Sequence, residues 1–337
     1  MRDLYECYNN FDKYEKITSN LISRSFVQAP RLTIFIPTYQ RAKTLEMTVQ
    51  SAINQSYKGE YEILIVNNDP NADLNEIKAM LSKWNSSRVA YYVNSKNIGL
   101  CGNWNRGIEL ARSKYVSMIH DDDILSPYFV EKIIEIIDEI DDEKLGVIGV
   151  DYIFFTSQNL PKFQVPPKRL SKRKITQQSF FFGRYINIAG ITVKRELALQ
   201  IGGYSEEYYP NEDTAFIYQA VLRSKVININ FPLAGYRQEV NLSLKPGVME
   251  QIIYLTEQTR RCIAKHEFFA AAWMKFFDAE FLYQYIEGAN QYWKMELDHN
   301  SLFKICGLNE EVNTIKLQIA RIVELVEKML GKVMEAK

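Results

Sequence analysis

Two acidic groups carry the chemistry this sequence could do. The first is His120-Asp121-Asp122-Asp123, where three neighbouring carboxylates repel one another unless a cation compensates them. Hard divalent ions such as Mg2+ and Mn2+ take oxygen ligands, often one or two carboxylates together with substrate phosphates. The second is Glu212-Asp213, an adjacent pair of carboxylates, a residue type that serves in general acid–base chemistry. A plainer explanation stands beside each, because acids at the start of a helix are favoured by its dipole.

The elements that must position these groups are legible as a pattern. Strand-like runs at 32–36, 62–66, 89–93, 115–119 and 145–150 alternate with helical stretches. The first helix carries Leu45, Val49, Ala52 and Ile53 at three-to-four spacing; others are expected near 74–84, 102–111 and 126–140. Ser126-Pro127 supplies an N-cap and a first helical residue for the last of these. Such alternation implies βαβ units and a mostly parallel central sheet flanked by helices. Ligands then sit at the carboxyl ends of the strands, where Asn67–Asp69 and Asp121–Asp123 both fall.

Composition removes several function classes. Lys+Arg and Asp+Glu each number 41 in 337 residues, so global charge gives no case for nucleic-acid binding. Four cysteines lie far apart without C-x-x-C spacing and three histidines are too few for a His-rich centre. A reducing cytoplasm is the expected setting, with no leader pattern in 1–18 and no run approaching a membrane span. From Tyr152 to Arg195 the chain has no acid but nine bases, including Lys162, Lys168, Arg169, Lys172, Arg173 and Lys174. Part of that stretch is expected as a loop, and contact with an anionic membrane face is one use for it; a solvated loop is the other.

The order of motifs adds a resemblance. Ile34-Phe-Ile-Pro-Thr-Tyr-Gln-Arg41, Ser51-Ala-Ile-Asn-Gln-Ser-Tyr57, Tyr61 to Asp69, Asn97 to Ile108 and Tyr115 to Leu125 together resemble the family-2 glycosyltransferases. That resemblance implies the α/β GT-A fold, a nucleotide-diphosphate sugar donor (UDP-sugar favoured), a glycan or lipid-linked acceptor and Mn2+ or Mg2+ as cofactor. It implies that Thr38, Tyr39 and Arg41 border the nucleotide, and that Asn67 or Asn68 faces the base or ribose. Asn97 belongs to the same donor set, Asp121 sits near the ribose and Asp122 binds the metal. Two departures stand out: Asn67-Asn68 replaces the usual aspartates, and His120 replaces the first acid of D-x-D, leaving Asp122 the better-supported ligand. Downstream, Ile201-Gly-Gly-Tyr-Ser-Glu-Glu207 and Pro210-Asn-Glu-Asp213 are similar to the family's G-G-[FY]-x-E and E-D motifs. By that likeness Asp213 is the base of an inverting transfer and Glu212 its supporting acid. Tyr236-Arg237-Gln238-Glu239 is similar to Y-R-x-H, with Glu239 where a metal-assisting histidine usually stands.

The expected organisation is an N-terminal extension (1–30), a glycosyltransferase domain (31–247, nucleotide-binding half 31–125 and acceptor half 126–247) and a helical C-terminal region (248–337). In the tail, Val312, Ile315, Ile319, Ile322, Val326, Met329 and Val333 step by threes and fours, the pattern of a helix seam. Leu325 and Leu330 widen it, so homodimer contact and packing on the protein body both remain open. A sugar nucleotidyltransferase would need a glycine-rich loop after the first strand, and Pro37-Thr-Tyr-Gln-Arg41 has no glycine. A catalytically silent nucleotide-sugar-binding subunit is the other alternative.

Overall fold

The computed structural model describes residues 2–239, 245–309 and 312–334. Its N-terminal half is built on four parallel strands, β2 (Leu32–Thr38), β3 (Glu62–Asn67), β4 (Val89–Asn94) and β5 (Tyr115–Met118), in the order β4-β3-β2-β5. Helices α1 (Ala42–Ile53), α2 (Leu74–Trp84) and α3 (Gly99–Leu110) make the crossovers. Every residue of β2 and β3 is buried, as strands covered on both faces require. Thr38 pairs with Asn67 and Phe35 with Met118, so 38–41, 67–69 and 119–122 leave the sheet along one edge.

The extension contributes to this sheet. Residues of β1 (Ser19–Ser23) pair antiparallel with β4 and form its outer edge. Leu4 is fully buried, and Arg106 from α3 donates to the carbonyls of Ile17 and Tyr14 at 2.7 and 2.9 Å.

Beyond β5 the sheet becomes mixed. The two-residue β6 (Ile124–Leu125) leads through α4 (Phe129–Ile140) to β7 (Leu145–Phe155). A short β9 (Ile191–Lys194) inserts antiparallel between β5 and β7. The long β10 (Lys225–Arg237) runs parallel to β7 and pairs with β6 and β8 (Lys172–Ile175). The basic triplet at 172–174 is therefore strand rather than loop, and Lys172 pairs with Glu139 at 2.7 Å. Between β8 and β10 lie the short α5 (Gln177–Phe181), α6 (Arg195–Ile201) and α7 (Glu212–Arg223).

The C-terminal helices form a third layer. Helices α8 (Pro246–His266) and α9 (Phe268–Trp293) pack with α10 (His299–Ile305) around Ile253, Leu282, Ile286, Leu302 and Phe303. Helix α11 (Thr314–Met334) lies on α9, burying Ala320 completely, with Gln284 donating to the Leu317 carbonyl at 3.3 Å. Ile315, Ile319, Ile322, Leu325 and Val326 are instead exposed, so these seam residues face away from the body; the side chains of Met329, Leu330 and Val333 lie outside those described. No helix among the described residues is long and apolar enough to cross a membrane.

Candidate active site

A cleft of about 1050 Å3 runs from the sheet edge to α8 and α9. Its floor at one end is Asp121, buried and accepting a hydrogen bond from the Thr38 hydroxyl at 2.7 Å. Burial pushes the Asp121 carboxyl up to about 6, against the opposing pull of Thr38 and Arg41. Arg41 bridges both acids, 3.3 Å from Asp121 and 2.5 Å from Asp122. Tyr39, 44% exposed, lines the same end.

Around Asp122 the residues that could hold a metal converge. The ligand atoms of His120, Asp122 and Asp123 lie within 4.8 Å of one another. Burial holds the His120 imidazole below its ordinary range, so it stays neutral and able to ligate. One oxygen of Asp123 and Nε2 of His120 are buried without a hydrogen-bond partner, the condition a cation would relieve. An imidazole and two carboxylates fit a divalent ion such as Mn2+. Trp104 stacks on the His120 ring at 5.4 Å and 22°, fixing its plane. Sequence reasoning favoured Asp122, with Glu239 as a second candidate ligand and His120 as a weaker one; Asp123 was hidden because it reads equally well as a helix-leading acid.

The amide positions divide. Asn68 donates to Asn97 Oδ1 and the Gly99 carbonyl at 2.9 and 3.0 Å, and accepts from Asn94 and the Ile98 N–H, each at 3.0 Å. All four of its bonding directions are thus used within the protein. Asn97 lines the cleft, its Oδ1 also accepting from the Gly99 N–H at 2.9 Å. Asn67 lies apart, donating to Tyr91 at 3.2 Å and bordering a smaller hollow of about 260 Å3 beside α2.

At the other end stand Glu212 and Asp213, the first two residues of α7. The Gly202–Gly203 turn that leads there needs glycine, with φ of +94° and +76°. A Cβ on Gly203 would fall 2.4 Å from Asn105 Oδ1. Asn105 clamps the turn, accepting from the Tyr204 N–H at 2.7 Å and donating to its carbonyl at 2.9 Å. Tyr204 then stacks on Phe216 of α7 at 4.2 Å and meets Trp104 edge-on at 5.0 Å. One ring stack therefore joins His120 to the helix bearing the second acid pair.

Glu212 is buried, with Oε2 unpartnered. Burial, then the neighbouring Asp213 charge, raises its carboxyl to about 8. Asp213 is partly exposed, is raised by burial, and accepts from the Thr214 N–H at 2.6 Å. The pair thus keeps a proton to unusually high pH.

Glu239 is held elsewhere: it accepts from the Ser157 N–H and hydroxyl at 2.8 and 2.5 Å and from Arg237 at 3.0 Å. Arg237 uses its Nε on the Asp122 carbonyl at 2.8 Å, and its backbone N–H on Asp123 at 2.9 Å. Arg237 braces the acidic loop, a role its sequence position did not disclose. Nor did sequence reasoning bring α8 and α9 to the cleft, where Thr256, Glu257, Arg260, Tyr285 and Tyr292 form a wall. The aromatic richness after 248 was the available signal.

Residues 33–200 match Glycosyl transferase family 2. Over 190 residues the chain is 26% identical to GalNAc(5)-diNAcBac-PP-undecaprenol beta-1,3-glucosyltransferase of Campylobacter jejuni, covering 56% of this chain and 59% of that one. The match thus spans less than two thirds of that relative. S. aureus TarS 1-349 in complex with UDP-GlcNAc superposes with a TM-score of 0.56 at 13% identity, covering 86% of this chain and 79% of that one. A mannosyltransferase from Pyrobaculum calidifontis in complex with GDP-Man and Mn2+ gives 0.52 at 12% identity, covering 91% and 89%. At such identities the likeness establishes the shared fold.

Proposed function

We propose that this chain, whose residues 33–200 belong to glycosyl transferase family 2, transfers a sugar with inversion from a nucleoside-diphosphate sugar to a hydroxyl of a glycan or lipid-linked glycan. One observation carries the reading: the Asp121–Asp122 end and the Glu212–Asp213 pair open into the same cleft. Tyr39 and Arg41 border the nucleotide and its diphosphate, Asp121 the ribose. UDP is the favoured carrier, in keeping with the UDP-GlcNAc complex of the structural neighbour.

His120, Asp122 and Asp123 are the residues that would hold a divalent cation, and Glu239, in its contacts with Ser157 and Arg237, is not needed for that set. When bound, the cation supplies positive charge beside the departing diphosphate. Asp213 takes the proton of the acceptor hydroxyl as its oxygen bonds to the anomeric carbon, on the face opposite the leaving diphosphate. Glu212, protonated at neutral pH, keeps the pair from carrying two negative charges and leaves the base function to its neighbour. The exposed loop around Lys162, Lys168 and Arg169, with Leu160 and Val165 also exposed, would draw the chain to an anionic membrane carrying a lipid-linked acceptor.

Asp213→Asn keeps the side-chain shape but cannot accept the proton. Turnover of UDP-hexoses and UDP-N-acetylhexosamines with extracted lipid-linked acceptor should fall by roughly two to four orders of magnitude, with donor affinity nearly unchanged. A collapse of donor affinity at unchanged kcat would assign Asp213 to donor binding and move the base elsewhere.

A further inference from the structure

A second set of metal-ligating side chains lies where the N-terminal segment crosses α8. Cys262 and His266 are four residues apart on that helix, so both project from one face, a turn apart. Asp3 reaches the same face: its Oδ1 lies 3.3 Å from Cys262 Sγ and its Oδ2 2.8 Å from His266 Nε2. All three ligand atoms fall within 4.8 Å of one another.

The surroundings orient each member. The Tyr5 N–H donates to Asp3 Oδ1 at 2.9 Å. The Tyr5 ring stacks on His266, centroids 3.9 Å apart and planes 24° apart, while its hydroxyl donates to Glu267 at 3.2 Å. Cys262 itself is buried. Outer contacts of this kind are what fix the ligands of a metal centre.

We propose that Asp3, Cys262 and His266 form a zinc site, separate from the His120–Asp122–Asp123 group, that clasps the N-terminal segment to α8. A thiolate, an imidazole and a carboxylate supply three of four tetrahedral positions, and water the fourth. The sulfur sets its preference apart from the Mg2+ or Mn2+ suited to the cleft. Bonds of about 2.0–2.3 Å place tetrahedral ligands roughly 3.3–3.7 Å apart, so the present contacts open by a few tenths of an ångström. The metal replaces the protons now lying between Asp3 and its partners: the thiol proton leaves to solvent, and the imidazole proton moves from Nε2 to Nδ1, or to solvent if the ring was charged. Because α8 also carries Ile253, Thr256, Glu257 and Arg260 into the cleft, the clasp steadies one of its walls.

Cobalt(II) tests this without activity. Metal-free full-length protein titrated with Co2+ should gain a sulfur-to-cobalt charge-transfer absorption whose saturated amplitude corresponds to one cobalt–sulfur centre per chain and which Zn2+ reverses. The cleft group has no sulfur, so it cannot produce that band. Cys262→Ala should abolish it with an unchanged far-UV circular dichroism spectrum. His266→Ala and Asp3→Asn, both at partly exposed positions, should weaken Co2+ binding by at least tenfold, the lower end of what losing even an outer-shell partner costs. No charge-transfer band in the folded wild-type protein overturns the proposal. So does a band that survives Cys262→Ala, or unchanged affinity in both surface variants, which alone suffice if Cys262→Ala does not fold.

Discussion

Glu212 and Asp213 are adjacent, chemically alike and both line the cleft, yet burial separates them: Glu212 is buried and Asp213 partly exposed. Glu212 is raised from 4.5 to about 8, so the folded chain keeps a proton the unfolded chain has lost. Its contribution to stability is therefore fully present below pH 4.5 and disappears as pH rises to about 8. Glu212→Gln cannot ionise and escapes that loss. The melting temperature of the variant relative to wild type should climb between these limits in calorimetry. A constant difference across that range would mean that Glu212 is not held protonated. Asn68 teaches the opposite lesson about a single residue. The family resemblance set it toward the base or ribose, and it does line the cleft; its four hydrogen bonds also bind the 94–99 loop to the end of β3. Side-chain satisfaction depends on partners far along the chain, which a local motif does not contain.

At the scale of elements, the Gly202–Gly203 turn and its clamp decide where α7 begins. Asn105→Ala would leave the Tyr204 N–H and carbonyl without their buried partner, at a cost of about 1–3 kcal/mol. Urea unfolding should report that loss, and kcat should fall while donor affinity holds, since the donor end rests on β2, β3 and β5. Unchanged kcat would detach the turn from catalysis. The parallel strands were legible because each is a dense β-branched or aromatic run ended by a turn signal, as in Glu62-Ile-Leu-Ile-Val66 before Asn67-Asn68. Residues Ser19–Ser23 were not, because an edge strand buried on neither face carries mixed polarity. β9 has only four residues, and β10 contains Pro232 at a register shift, so neither shows a clean period. The acidic residues Asp122 and Asp213 stood out as local groups, whereas Arg237 acts through contacts with residues more than a hundred positions away.

For the whole molecule, the sheet edge and the C-terminal helices enclose one cleft with two chemically distinct ends. The loop bearing Lys162, Lys168 and Arg169 lies exposed. Reversing all three to Glu should weaken sedimentation with anionic liposomes roughly a hundredfold at low salt, at about 1 kcal/mol per basic residue; unchanged sedimentation would make it a solvated loop. Between the cleft's two ends the division of labour is sharper and can be read in one calorimetric comparison. UDP is titrated into wild type, Asp122→Ala and Asp213→Asn, each with and without Mn2+. Wild type and Asp213→Asn should bind UDP with the same Mn2+-dependent affinity, and Asp122→Ala should lose that dependence. Equal loss in both variants, or Mn2+-dependent binding that survives Asp122→Ala, would contradict a cleft in which Asp122 serves the donor and Asp213 the acceptor.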